Sequence, residues 1–341
     1  MPKRDIIVIG GSAGALDALM QIVSKLPHDL AASVFVVIHL SPARESLLPG
    51  ILTRAGRLPA SSPVDGEAIE QGHIYVAPPD LHLLLENRHI NVLHGPKENR
   101  ARPAIDPLFR SAALSYGPRV ISVVLSGSLD DGTAGLRAIK KSGGVTIVQD
   151  PSEAIYPGMP QSAIANNSID HILPAAEIAP LLRRLIEEEA PEKGAPETVS
   201  ENLRKEVEIS KQEFASDDMI KAVSEMGRLS MFTCPECQGT LWEMKDGELL
   251  RYRCHVGHAF SGDSLDAEQG EKLEAALWSA LRALEERGAL SRRLAKQARE
   301  RQRDRVAQQF EKRAEEANEH VESIRQILVA DPDRTIAKIA L

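Results

Sequence analysis

Two sets of side chains in this sequence have the types and the spacing to do chemistry. The first is Ser12, His39 and Asp131, distant along the chain but each placed just after an apolar run. A serine hydroxyl becomes a nucleophile when a base takes its proton, and the base works best when a carboxylate orients it. The second set is Cys234, Cys237, Cys254 and His258. Its two knuckles, Cys234-Pro235-Glu236-Cys237 and Cys254-His255-Val256-Gly257-His258, flank a hairpin-like stretch and suit a four-coordinate zinc ion. His255, directly beside Cys254, is less able to turn inward than His258. All three cysteines of the chain fall in this set, which makes a disulfide framework a poor reading. The bland alternative is free cysteines on a hairpin. A site closed by four protein ligands is structural rather than catalytic.

The elements that must position the first set are legible as strand ends. Residues 5–16 read Asp-Ile-Ile-Val-Ile-Gly-Gly-Ser-Ala-Gly-Ala-Leu, a β-branched run into a glycine turn and then a helix start. Ser12 then sits at the carboxyl end of a buried strand, beside helix N–H groups that can hold developing negative charge. The same geometry could cradle a phosphate or dinucleotide, but no acidic residue clearly ends a second strand where a ribose partner belongs. It could also be a tight turn and nothing more. A second apolar run, residues 32–38, ends on His39 and is broken by Leu40-Ser41-Pro42. A third, residues 120–125, runs into Ser126-Gly127-Ser128-Leu129-Asp130-Asp131-Gly132. Three polar residues after three such runs predict one edge of a parallel sheet.

Between these runs, residues 46–52 read as a short helix. Residues 66–76 and 81–92 read as strands, with a hairpin expected at Pro78-Pro79-Asp80. Residues 95–104 form a basic, proline-bearing loop, either a solvated connection or a surface whose arginines attract acidic helices. Residues 105–116 and 178–189 read as amphipathic helices, and residues 145–149 as a further strand. The expected organisation is a catalytic domain over residues 1–189, a linker with helical segments over 190–230, a zinc-ribbon-like module over 231–262, and a helical hairpin or coiled coil over 263–330. The last is predicted from two apolar stripes. One runs through Leu273, Leu277, Leu281 and Leu284. The other runs through Val306, Phe310, Ala314, Ala317, Val321, Ile324 and Leu328. The polar stretch 297–305 between them is either a turn or continuous helix.

The chain has 341 residues, a net charge of −8 and 43% hydrophobic residues, enough for two domains with a sizeable core. The acidic balance argues against nucleic acid as a main partner. The apolar run after Met1-Pro2-Lys3-Arg4 is too short for a signal peptide or a membrane span, so a cytoplasmic protein without membrane insertion is expected.

Taken together the motifs resemble the catalytic domain of chemotaxis-type protein-glutamate methylesterases. The matching pieces are residues 9–14, His39-Leu40-Ser41-Pro42, residues 72–78, Arg102-Pro103-Ala104-Ile105-Asp106-Pro107-Leu108-Phe109, residues 127–132 and Gly158-Met159-Pro160. The resemblance implies a doubly wound, mostly parallel (Rossmann-like) α/β fold that hydrolyses glutamyl methyl esters on the helical bundles of methyl-accepting receptors. Methanol release, glutamine deamidation as a second activity, and no cofactor for catalysis follow from it. By motif position Ser12 is the nucleophile, His39 the base and Asp131 the orienting acid, with Asp130 ranked lower. The family usually has threonine at Ala13 and methionine at Ser128. Familiar members carry a receiver domain before this fold, so a switch of that kind is not expected here. The competing reading is a non-catalytic signalling scaffold that binds receptor helices, and other signalling proteins, through its helical end.

Overall fold

The structure, a computed structural model, describes residues 3–39, 46–191, 201–212, 216–244, 246–247 and 249–329. Leu40, Ser41 and Pro42 of the histidine motif, and residues 192–200 of the expected linker, lie outside them. Residues 1–265 form one compact unit and residues 266–341 another.

The first unit is built on three β-branched runs. These are β1 (Ile6–Gly11), β2 (Ser33–Ile38) and, from the far side of the chain, Val120–Val124, each buried along its whole length. Runs that are apolar on both faces suit a parallel sheet covered by helices on both sides. Helices α1 (Ala15–Ser24) and α2 (Leu48–Ala55) follow the first two strands. Short strands β3 (Ala60–Ser61) and β4 (Glu67–Ala68) precede β5 (Ile74–Val76), and a hairpin of β6 (His82–Glu86) and β7 (His89–Leu93) comes next. After α3 (Ile105–Tyr116), the strand Val120–Val124 is β8, followed by α4 (Thr133–Lys141), β9 (Val145–Gln149), α5 (Gly158–Asn166), β10 (His171–Leu173) and α6 (Ala175–Glu187).

Seven strands pair in the order β10-β9-β8-β1-β2-β5-β3, every neighbour parallel. Alternate residues divide between two cores. Ile7 and Ile9 of β1 pack with α1, α2 and α6, whereas Ile6 and Val8 face α3, α4 and α5. The chain moves outward from β1 through β2 and then returns to β1's other flank with β8. That places a topological switch point between β1 and β8, where the carboxyl ends of α/β strands leave a crevice.

The expected hairpin at Pro78-Pro79-Asp80 is not formed. β5 joins the parallel sheet, and the reversal lies later, between β6 and β7, where Asn87 (φ 46°) and Arg88 (φ 69°) form the turn. Two left-handed residues in a row match the right-handed twist of a two-residue hairpin. A double proline has no N–H groups to offer such a ladder.

The same unit continues through α7 (Glu201–Lys211) and α8 (Ser216–Met226) into a four-stranded antiparallel sheet. Its strands are β11 (Gly227–Thr233), β12 (Thr240–Met244), β13 (Arg251–Cys254) and β14 (Ala259–Ser261). This small sheet docks on the catalytic body by backbone and by charge. Glu98 bridges in parallel to Ala259 of β14, and Asn99 N donates to Ala259 O at 2.8 Å. Beneath that seam Glu98 accepts from Arg110 of α3 (2.5 and 2.7 Å) and from Arg253 of β13 (3.2 and 3.3 Å), while Arg251 donates to Glu206 of α7 (2.9 and 3.0 Å). Arg253 is fully buried and Glu98 nearly so.

Helix α9 (Gly262–Glu300) leads into the second unit, where it pairs with α10 (Asp304–Val329). The chain breaks helix at residues 301–303, so the polar stretch is a turn. Arg299–Glu311, Arg292–Asn318 and Arg325–Glu285 contacts show the two helices antiparallel. The buried seam of α10 runs through Ala307, Ala314, Ala317 and Val321; Val306, expected in it, is exposed. No described helix is long and apolar enough to cross a membrane.

Candidate active site and metal centre

Ser12 follows β1 at the switch point. Its N–H donates to Ser126 O (2.9 Å), at the end of β8, and His39 N donates to Gly11 O (3.2 Å). The register Gly11↔Ile38 makes Ser12 and His39 the next facing pair beyond the ladder. Gly14, at φ 73°, makes the left-handed turn into α1, and no side chain caps that helix start. The uncapped N–H groups there favour negative charge beside the hydroxyl. Space around Ser12 is tight: a Cβ on Gly127 would sit 2.9 Å from Ser12 Cβ and 2.0 Å from Met159 Sδ. Among the described residues the Ser12 hydroxyl holds no hydrogen bond, which leaves it unencumbered.

The His39 ring meets Asp131 directly, Nε2 to Oδ2 at 2.8 Å. A carboxylate only accepts, so Nε2 carries the proton and Nδ1 is left as the basic nitrogen. Asp131 is held by four further donors. Ile105 N (2.7 Å) reaches Oδ2; Asn99 Nδ2 (2.9 Å), Gly132 N (3.0 Å) and Asp106 N (3.3 Å) reach Oδ1. Two of these are the first N–H groups of α3, whose positive end therefore points at the carboxylate. Burial pushes Asp131 upward, but the His39 and backbone donors outweigh it and hold the carboxyl below its ordinary range.

Asp130, adjacent in sequence, faces elsewhere. It accepts from Ser261 Oγ of β14 at 2.6 Å, and burial pushes its carboxyl up to about 6. Asp106 accepts from Gly135 N and Asn99 Nδ2, and burial followed by the Asp131 charge pushes it up to about 7. Asn99, Asp106 and Ser261 carry no functional signal as single residues in the sequence, although Asp106 lies inside the Arg-Pro-Ala-Ile-Asp motif. The loop arginine Arg102 is spent internally, on Asp80 (2.7 and 2.9 Å) and Gly95 O (2.8 Å), and so is not an arginine held out for acidic partners.

The raised Asp106 gives a pH prediction. A folded-state pKa above the unfolded one means the folded state holds the proton more tightly. The associated stability is complete below about pH 4 and is lost as pH rises through about 7. Denaturant midpoints should therefore fall between about pH 5 and pH 8, and Asp106→Asn should remove most of that fall, with Asp130 accounting for part of the rest. A level wild-type curve across this window would contradict it.

Cys234, Cys237, Cys254 and His258 come together, with one donor atom from each within 4.8 Å of the others. Three separations are 3.6 Å (Cys237 Sγ to Cys254 Sγ), 3.6 Å (Cys254 Sγ to His258 Nδ1) and 3.8 Å (Cys234 Sγ to His258 Nδ1). A tetrahedron with bonds of about 2.3 Å has edges of about 3.8 Å, close to these three separations, so the donor set is of the kind and spacing that zinc takes. His255 lies outside the cluster, edge-on to Trp242 at 6.5 Å. The neighbouring Cys254 sulfur and burial push the Cys234 thiol up to about 12, so a cation is needed to draw its proton off at neutral pH.

With this geometry in view, comparison with known proteins is specific. The CheB methylesterase family model matches residues 7–182. The chain is 34% identical over 191 residues to protein-glutamate methylesterase/protein-glutamine glutaminase 2 of Methanosarcina mazei, covering 54% of this chain and 52% of that protein. It is 37% identical over 182 residues to a putative protein-glutamate methylesterase/protein-glutamine glutaminase of Leptospira interrogans, covering 53% of this chain and 94% of that one. The chain thus spans about half the length of the first relative and nearly all of the second. The crystal structure of the Thermotoga maritima CheB methylesterase catalytic domain aligns with a TM-score of 0.52 and 34% identity, over 55% of this chain and all of that one. From the family match across residues 7–182, the all-parallel sheet and the serine and histidine at its switch-point edge, the chain belongs to the CheB methylesterase family of carboxylic ester hydrolases.

Proposed function

We propose that this chain hydrolyses γ-glutamyl methyl esters on the helical cytoplasmic bundles of methyl-accepting receptors, with Ser12 as nucleophile, His39 as base and Asp131 as orienting acid. The observation that carries this reading is the His39–Asp131 bond at 2.8 Å, at the strand end that faces Ser12. His39 Nδ1 takes the Ser12 proton as Oγ attacks the ester carbonyl. The imidazolium returns that proton to the departing methoxide, and methanol leaves. Water then attacks the acyl-serine by the same route, regenerating Ser12 and a glutamate. A glutamine side chain follows the same steps with ammonia as the leaving group. Backbone N–H groups around the start of α1 hold the oxyanion, so alanine at position 13 and serine at position 128 leave the chemistry intact.

In the same proposal the four-ligand cluster holds structural zinc and the antiparallel helices α9 and α10 dock the receptor bundle. Incubating the full chain with methylated receptor helices should release methanol. A chain ending at Leu265 should show a raised KM on receptor and an unchanged kcat on a small methyl ester, since docking is uniform binding. The competing scaffold reading predicts no methanol from either substrate together with retained receptor binding, and that result would replace the esterase assignment.

A further inference from the structure

The small four-stranded sheet does more than ride on the esterase body, because one side chain at the seam touches both. Asn99 Oδ1 accepts from Ser261 N (3.0 Å) and Ser264 Oγ (3.2 Å), and Asn99 N donates to Ala259 O (2.8 Å). Its Nδ2 donates the other way, to Asp131 Oδ1 (2.9 Å) and Asp106 Oδ2 (2.9 Å). The direction of the amide is fixed by chemistry. The backbone N–H of Ser261 faces its oxygen and two carboxyl groups face its nitrogen, so a flipped amide would lose those three bonds and keep at most the one to the Ser264 hydroxyl. Asn99 and Arg100, both left-handed at φ 47° and 70°, form the two-residue turn closed by the Glu98–Ala101 bridge, which presents the Asn99 amide between the two bodies.

We propose that Asn99 is a positioning residue of the esterase, and that the residue 259–264 segment holds it in place, making the ribbon part of the active-site support. Among the described residues, Asn99 and His39 are the two side-chain donors to Asp131; the other donors are backbone N–H groups at fixed positions. Asn99 anchors Oδ1 and so aims Oδ2 at His39. The buried Glu98–Arg110–Arg253 and Glu206–Arg251 pairs set the seam's register, since any shift would strand charges away from water. Binding events on the ribbon side are thereby coupled to the imidazole through one amide.

This inference rests on the triad reading above, and two readouts keep the two separable. The first is kcat and KM on a small methyl ester. The second, independent of activity, is the downfield NMR signal of the His39 Nε2 proton, which reports its hydrogen bond to Asp131. Asn99→Asp is isosteric and keeps the oxygen that accepts from Ser261 and Ser264, but it removes the donor to Asp131. It should lower kcat about 100-fold with KM within about twofold, and should shift or broaden the His39 signal. Ser264→Ala leaves Asp131 and His39 untouched, yet should lower kcat severalfold and move the signal the same way. An Asn99→Asp protein within about twofold of wild-type kcat, with the signal unmoved, would overturn the positioning role. A clear Asn99→Asp effect beside a silent Ser264→Ala would overturn the ribbon's part in it. If wild type hydrolyses no methyl ester, the esterase reading fails while the NMR comparison still decides this one.

Discussion

Ser12→Ala should fold as wild type and lose at least about 10⁴-fold in kcat, on receptor and small ester alike. The fold is spared because the Ser12 hydroxyl holds no hydrogen bond among the described residues and its backbone contacts, to Ser126 O and from Ala15 N, are independent of the side chain. Activity is not spared, since without Oγ no acyl-enzyme forms and only the oxyanion donors and binding remain. A variant within about tenfold of wild type would remove Ser12 from the mechanism.

The two aspartates separate by the same kind of measurement. Both oxygens of Asp131 are saturated with donors: His39 and Ile105 on Oδ2, Asn99, Asp106 and Gly132 on Oδ1. In Asp131→Asn an amide nitrogen must face one of these sets. Turned toward His39 it forces Nε2 to accept, which places the ring proton on Nδ1 and leaves no base for Ser12. The expected loss is about 10³- to 10⁴-fold in kcat. Asp130→Asn keeps an oxygen to accept from Ser261 Oγ and touches neither Asp131 nor His39, so it should cost less than about tenfold.

Much of this site is readable in the sequence because its parts are local. A β-branched run into Gly-Gly-Ser, a second run ending on histidine and a third ending in Asp-Asp-Gly each announce a strand end, and parallel topology puts such ends on one edge. What the sequence hides is pairwise. Glu98, Arg110, Glu206, Arg251 and Arg253 look like solvated surface charges, and each is buried only because its partners are buried with it. The Glu98–Arg253 pair spans 155 residues, beyond the reach of any periodicity argument. Asn99 is hidden in the same way, inside a loop whose arginines draw the eye. The misplaced hairpin has a different cause. Pro78-Pro79-Asp80 is the stronger turn signal, whereas Asn87-Arg88 lacks the glycine that ordinarily marks a two-residue turn. Val306 stands one position off the α10 seam, which enters through Ala307 instead.

Removing metal should have the largest structural effect in the molecule. One side of the small sheet packs Cys234, Leu241, Tyr252, Cys254, Phe260 and Leu265, with Cys237 against them, while Met244 and Trp242 of β12 pack with α7 and α8. Two of those first six are proposed ligands, so without a cation the cluster around the knuckles keeps four core side chains and a group of sulfurs. Sheets of this size rarely stand on such a core, and structural zinc contributes about 10–16 kcal/mol in comparable peptides. Protein purified without chelator should carry about one zinc per chain. Stripping it should raise amide exchange across residues 227–261, most at the two knuckles. The seam at Glu98, Asn99 and Ala259 makes the loosening spread to residues 97–101 of the catalytic body, while β1, β2 and β8 stay protected by their own two-sided core. Exchange confined to the ribbon would show that the seam transmits nothing. Metal analysis that finds no zinc, or protection unchanged after chelation, would reject the metal centre itself. Cys254→Ser should reproduce the chelated pattern in untreated protein, because an alcohol in place of that thiolate leaves three ligands and an open tetrahedron.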